Sequence, residues 1–113
     1  MIILSISLDA ELLQLRQTVL RAAGHEVINV ASEKDAALAA QSPNGYDVAL
    51  LCHRFPAAAA RQTVRLLRQN HSGTRIVYIV HVYGEWPEVE ADRYIVGADG
   101  PDALVRVLDE VHA

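Results

Sequence analysis

A chain of 113 residues has room for one domain and no second, and a hydrophobic fraction of 51% with mean hydropathy +0.13 excludes a disordered segment. The net charge of −4 argues against nucleic acid as a partner, and no apolar run approaches the roughly 20 residues of a membrane span. The start, Met1 to Ser7, has no basic flank and runs into Asp9 and Glu11, unlike a secretory signal, and a single cysteine points to a reducing, cytoplasmic compartment.

Ile2 to Ile6 is a short β-branched run that reads as a buried strand. Asp9 is placed to cap a helix carrying Leu12, Leu15 and Val19 at helical spacing, with Gly24 as its stop. Val27 to Val30 reads as a second strand, and Ser32-Glu33-Lys34-Asp35 as a capping box opening an alanine-rich helix. The turn Ser42-Pro43-Asn44-Gly45 delivers the chain into a third strand, Asp47 to Cys52. Pro56 suits the entry to a third helix, Ala57 to about Gln69, with Val64 and Leu67 inward. Ile76 to Val80 and Tyr94 to Val96 are the fourth and fifth strands. Gly100-Pro101-Asp102 opens a last helix with Leu104, Val107, Leu108 and Val111 as its apolar stripe. Apolar strands alternating with amphipathic helices imply an α/β domain, doubly wound, with a parallel sheet covered on both faces and spanning 1–113.

The order and spacing of several phrases resemble the receiver domain of bacterial response regulators across nearly the whole chain. Ile3-Leu4-Ser5-Ile6-Ser7-Leu8-Asp9 falls on that family's first strand and acidic turn, and Ala23-Gly24-His25-Glu26-Val27 on its first helix end and second strand. Asp47 to Pro56 matches its third strand and proline-ended loop, and Ala91-Asp92-Arg93-Tyr94 the segment entering its fifth strand. The abundance of arginine and alanine, with Lys34 the sole lysine, fits a GC-rich bacterial source. The resemblance implies a flavodoxin-like, CheY-like (βα)5 sheet in the order 2-1-3-4-5, with its functional edge at the carboxyl ends of the strands.

In a working receiver two acidic residues after the first strand hold Mg²⁺; this chain has Ser7 and Leu8 there. The phosphoacceptor aspartate is replaced by Cys52, the hydroxyl residue ending the fourth strand by Val80, and the lysine after the fifth strand by Gly97. Without acceptor, carboxylate pair or ammonium, neither aspartyl-phosphate formation nor metal binding has a basis at this site. The stretch His81 to Glu90 is also shorter than the family's and contains Gly84, Trp86 and Pro87, so the helix between the fourth and fifth strands is expected to be short or missing.

Other residues each admit two readings. Cys52, His53 and His81, with Asp9, could ligate a metal in principle, but they lack the paired spacing of a zinc motif and read first as a buried thiol with rim histidines. Cys52 is a reactive thiol only if a positive group lowers its pKa. Arg61, Arg65 and Arg68 share one face of the third helix, either a patch for an acidic partner or a solvated face. Tyr83 and Trp86 suit an interaction surface or a cover for exposed core. Asp47 reads as a turn residue.

The resulting expectation is a non-enzymatic pseudo-receiver that needs no cofactor or metal and acts through protein–protein interaction, with a signalling protein or a second copy as partner. The alternative is a small-ligand or metal sensor using the crevice at the carboxyl edge, lined by Ser7, Asp9, Cys52, His53, His81 and Gly97.

Overall fold

The structure of the chain, a computed structural model, describes residues 1–81 and 89–112. Its strands are β1 (Ile2–Ile6), β2 (Glu26–Val30), β3 (Val48–Cys52), β4 (Arg75–Val80) and β5 (Arg93–Val96). The helices are α1 (Ala10–Ala22), α2 (Glu33–Gln41), α3 (Ala57–Asn70) and α4 (Pro101–His112), with a 3₁₀ turn at Gly97–Asp99. All strand pairs are parallel, in the order β2-β1-β3-β4-β5. The segment where the helix between β4 and β5 is expected to be short or missing includes 82–88, which lie outside the described residues.

The alternating pleat sorts the side chains into two cores. Leu4, Ile6, Leu51, Phe55, Val64, Leu67 and Tyr78 pack on the α2/α3 side. Ile3, Leu20, Leu50, Val77, Ile79, Leu104 and Leu108 pack on the α1/α4 side. Central β3 is buried at every residue, as a strand covered on both faces requires. Edge strand β2 buries only Val27 and Val30.

Local signals act as read. The Asp9 carboxylate accepts the Leu12 N–H at 3.1 Å and the Ser32 hydroxyl accepts the Asp35 N–H at 3.1 Å, each satisfying a donor that the first helical turn leaves over. Gly24 supplies the left-handed φ of +92° that ends α1. Two expectations need correcting. Leu15 belongs to the helical stripe by spacing but is 67% exposed, while Leu13 and Leu20 are the buried residues of α1. The helix is rotated so that Leu13 and Leu20, seven apart, face the sheet and Leu15 lies to one side. Asp47 is more than a turn residue. Its carboxylate accepts the Ile2 N–H at 2.7 Å, its N–H donates to Ile2 O at 2.9 Å, and its carbonyl accepts the Arg75 N–H at 3.0 Å. It ties the amino ends of β1, β3 and β4 together, opposite the edge where the candidate site lies.

Candidate functional site at the carboxyl edge of the sheet

Parallel pairing brings the carboxyl ends of the central strands into line, with Cys52 beside Ile79 and Val80 beside Val96. Ser7, Cys52, Val80 and Gly97 all stand at this edge, each at or just beyond the end of its strand. Ser7 is fully buried; its N–H donates to Val30 O at 3.2 Å and its hydroxyl accepts the Asp9 N–H at 3.1 Å. Leu8 points outward, 45% exposed. Val80 is buried in the α2/α3 core. Gly97 starts the 3₁₀ turn, and a Cβ there would touch Ile79 Cγ2 at 3.4 Å and Val80 O at 3.5 Å.

Asp9 is the carboxylate nearest the crevice in sequence, and it is committed elsewhere. One oxygen caps α1, and the other lies 3.7 Å from Arg54 Nε. Cys52 is a free, fully buried thiol whose sulfur accepts the Arg54 N–H at 3.5 Å and lies 3.7 Å from His53 Nδ1. The rings of His53 and His81 lie 4.9 Å apart, tilted by 38°. Burial lowers the His53 pKa from its ordinary 6.5, the neighbouring His81 lowers it next, and Arg54 and Arg16 add to this against a hydrogen bond to the Ile79 backbone that raises it. The surroundings therefore favour neutral imidazole. Among the described residues no group of three or more His, Cys, Asp or Glu is arranged to hold a metal ion.

Arg61, Arg65 and Arg68 do share one side of α3, where with Val64 and Glu90 they border a concavity of about 430 Å³. Arg68 is held there, its guanidinium 3.3 Å from Asp92 Oδ1, while Asp92 Oδ2 accepts the Ile76 N–H at 2.7 Å. Tyr83 and Trp86 lie outside the described residues.

A second hollow, also about 430 Å³, lies beside the crevice on the α1/α4 face and includes Gly97 and Ile79. The sequence reading missed it and its charged residue, Arg16. The available signal was that Leu12, Leu15, Arg16 and Val19 recur at three- and four-residue intervals, which places a cation inside an apolar stripe.

No protein-family model matches the sequence, and no curated protein matches it. Solved structures do match. Chemotaxis protein CheY4 of Vibrio cholerae is 23% identical over 97% of both chains, with a TM-score of 0.82. The receiver domain of sensor histidine kinase PA1611 from Pseudomonas aeruginosa, with a magnesium ion coordinated in its active-site cleft, is 19% identical over 99% of this chain and 98% of its own, with a TM-score of 0.84. Response regulator TrrA of Thermotoga maritima, in complex with Mg²⁺ and BeF, is 18% identical over 97% of both chains, with a TM-score of 0.78. Together with the strand order, these likenesses establish that the chain has the flavodoxin-like fold of CheY-like response-regulator receiver domains.

Proposed function

We propose that the protein is a pseudo-receiver: a signalling module of the two-component kind that is not phosphorylated at the usual edge and acts by binding a protein partner. The observation that carries this reading is Cys52. The residue that ends β3, where the receiver resemblance expects an acceptor carboxylate, is a fully buried thiol among apolar neighbours. A thiol there offers no route to an acyl phosphate.

The surroundings support the same reading. A divalent cation needs several oxygen ligands, and the edge offers a serine already bonded to Asp9 N–H and an aspartate shared between a helix cap and Arg54. Arg54 and Arg16 make the vicinity electropositive, which repels Mg²⁺. Ser7, Leu8, Val80 and Gly97 complete the set of changed positions, with neither a hydroxyl at Val80 nor an ammonium at Gly97 to stabilise a phosphoryl group. Compartment and partner follow from the same reading: a cytoplasmic signalling protein or a second copy of the chain, met through surfaces such as the Arg61, Arg65 and Arg68 side of α3 and the segment holding Tyr83 and Trp86. No helix among the described residues is long and apolar enough to cross a membrane.

The test is an amide NMR titration with Mg²⁺ and then beryllofluoride, beside incubation with acetyl phosphate and intact-mass measurement. No saturable shifts at residues 7–9, 52–54 and 97, and no added phosphate mass, are expected. Localised saturable shifts there, or stoichiometric acid-stable and base-labile phosphate, would overturn the reading.

A further inference from the structure

We propose that the groove between α1 and α4 is a binding site for a small amphipathic carboxylic acid, with Arg16 holding the carboxylate and the groove enclosing the apolar chain. It lies beside the receiver crevice rather than in it, and the inference stands whether or not that edge is phosphorylated.

The groove has a volume of about 430 Å³, within the range of about 300–1,000 Å³ that small-molecule sites occupy. Its apolar walls include Leu12, Leu15, Val19, Ile79, Ile95 and Leu104. Gly97, at its rim, presents no side chain to fill it. Leu12 to Val19 covers about 10 Å of helix axis at 1.5 Å per residue, enough to lie along an acyl chain of medium length. The 67% exposure of Leu15 is then the exposure of a binding wall rather than of a stray surface leucine.

Charge selects the ligand. Arg16 is the sole charged residue lining the groove among the described residues, and no carboxylate among them pairs with it. It is partly buried, so part of its hydration is already lost, and an arriving carboxylate restores hydrogen bonds to a fork made for that geometry. The neighbouring charges do not compete for it. Its field reaches His53, whose surroundings already include Arg54 and His81, and Asp9 is occupied by Arg54 and the Leu12 N–H. On a chain of net charge −4 this is a local positive spot with an apolar trough attached. An anion with a hydrocarbon tail fits both features, whereas a free phosphate would use only the first and a neutral lipid only the second.

The experiment compares octanoate with octan-1-ol, the same chain without the charge, by ¹³C-methyl NMR titration of the full chain. Expected are saturable shifts at Leu12, Val19, Ile79, Ile95 and Leu104 with both ligands, and octanoate binding about tenfold more tightly, the scale of one charge-assisted hydrogen bond. Arg16→Gln is expected to remove that preference while leaving octan-1-ol binding unchanged, and Val19→Trp to abolish both by filling the groove. Octanoate binding no tighter than octan-1-ol, or Arg16→Gln weakening both equally, would overturn the proposal. So would shifts at these methyls that depend on protein concentration alone and vanish in Val19→Trp, since the groove would then be a self-association face. A protein that takes up octanoate and also gains acyl phosphate would leave this inference standing and remove the pseudo-receiver reading.

Discussion

Ser5 illustrates how a single atom can work against the fold. It shares a face with Ile3 and Leu50, fully buried in the α1/α4 core, and its hydroxyl has no hydrogen-bond partner among the described residues. Burying a hydroxyl unsatisfied costs about 1–3 kcal/mol, while the space left by one oxygen is small. Ser5→Ala is therefore expected to stabilise the chain by about 1 kcal/mol, read from the urea midpoint at unchanged slope; a loss of stability would mean that the hydroxyl is satisfied in solution. His53 gives the residue-scale pH dependence. Its folded pKa lies below the unfolded value, so as pH falls through 6.5 the unfolded chain takes up the proton first. Stability that is complete above that pH is lost progressively toward the lower folded pKa. Chemical denaturation at about pH 7.5 and about pH 5.5 should show this loss, and His53→Gln should reduce it; an unchanged loss would place the titration on another group. At this scale the sequence disclosed identities well and environments poorly. Cys52 was legible as the end of a buried strand, but not the Arg54 N–H bonded to its sulfur, and Asp9 was legible as a cap, but not its pairing with Arg54, because such contacts depend on loops whose path no periodicity encodes.

At the scale of elements, the β4–β5 pairing rests on a clamp at its amino end. Asp92 accepts the Ile76 N–H through one carboxylate oxygen and Arg68 through the other, and its own N–H donates to Ile76 O at 2.8 Å. The two partners should differ sharply in worth. Removing the carboxylate leaves a strand N–H without its charged acceptor, at a cost of about 2 kcal/mol, whereas removing the partly exposed guanidinium breaks a solvent-screened pair worth less than about 1 kcal/mol. Asp92→Ala should thus destabilise clearly more than Arg68→Ala, and amide exchange at Ile76 should speed up in the first variant only. Equal losses would show that the ion pair, not the backbone bond, holds the strand. The elements themselves were largely readable: β-branched runs gave the strands, and Asp9, Ser32 and Gly24 marked helix ends through hydrogen bonds and backbone geometry that are local by nature. Leu15 was misread because helical spacing admits neighbouring stripes, and only packing against the sheet, which buries Leu13 and Leu20, decides between them.

Across the whole molecule, the apolar core extends to the carboxyl edge of the sheet. Ser7, Cys52 and Val80 are at most 6% exposed, and the apolar wrapping of β3 runs unbroken to its last residue. In a domain whose net stability is about 5–15 kcal/mol, this matters in a direction that can be measured. Cys52→Asp would place a carboxyl group at a fully buried position, where the Arg54 N–H is at hand as a donor but desolvation opposes the charged form. Burial would raise its pKa by about 3 units, to near neutrality, equivalent to about 4 kcal/mol at neutral pH. The variant is expected to lose about that much stability, to recover much of it on acidification, and to recover none of it with Mg²⁺. Ser7→Asp/Leu8→Asp/Cys52→Asp, which brings back an acidic cluster, should instead regain stability with Mg²⁺ in proportion to the logarithm of its concentration above the binding constant. Urea titrations of both variants with and without Mg²⁺ decide the matter. Magnesium-dependent recovery in Cys52→Asp alone would mean that Asp9 leaves Arg54 to ligate the ion, and that the edge kept a metal site of its own.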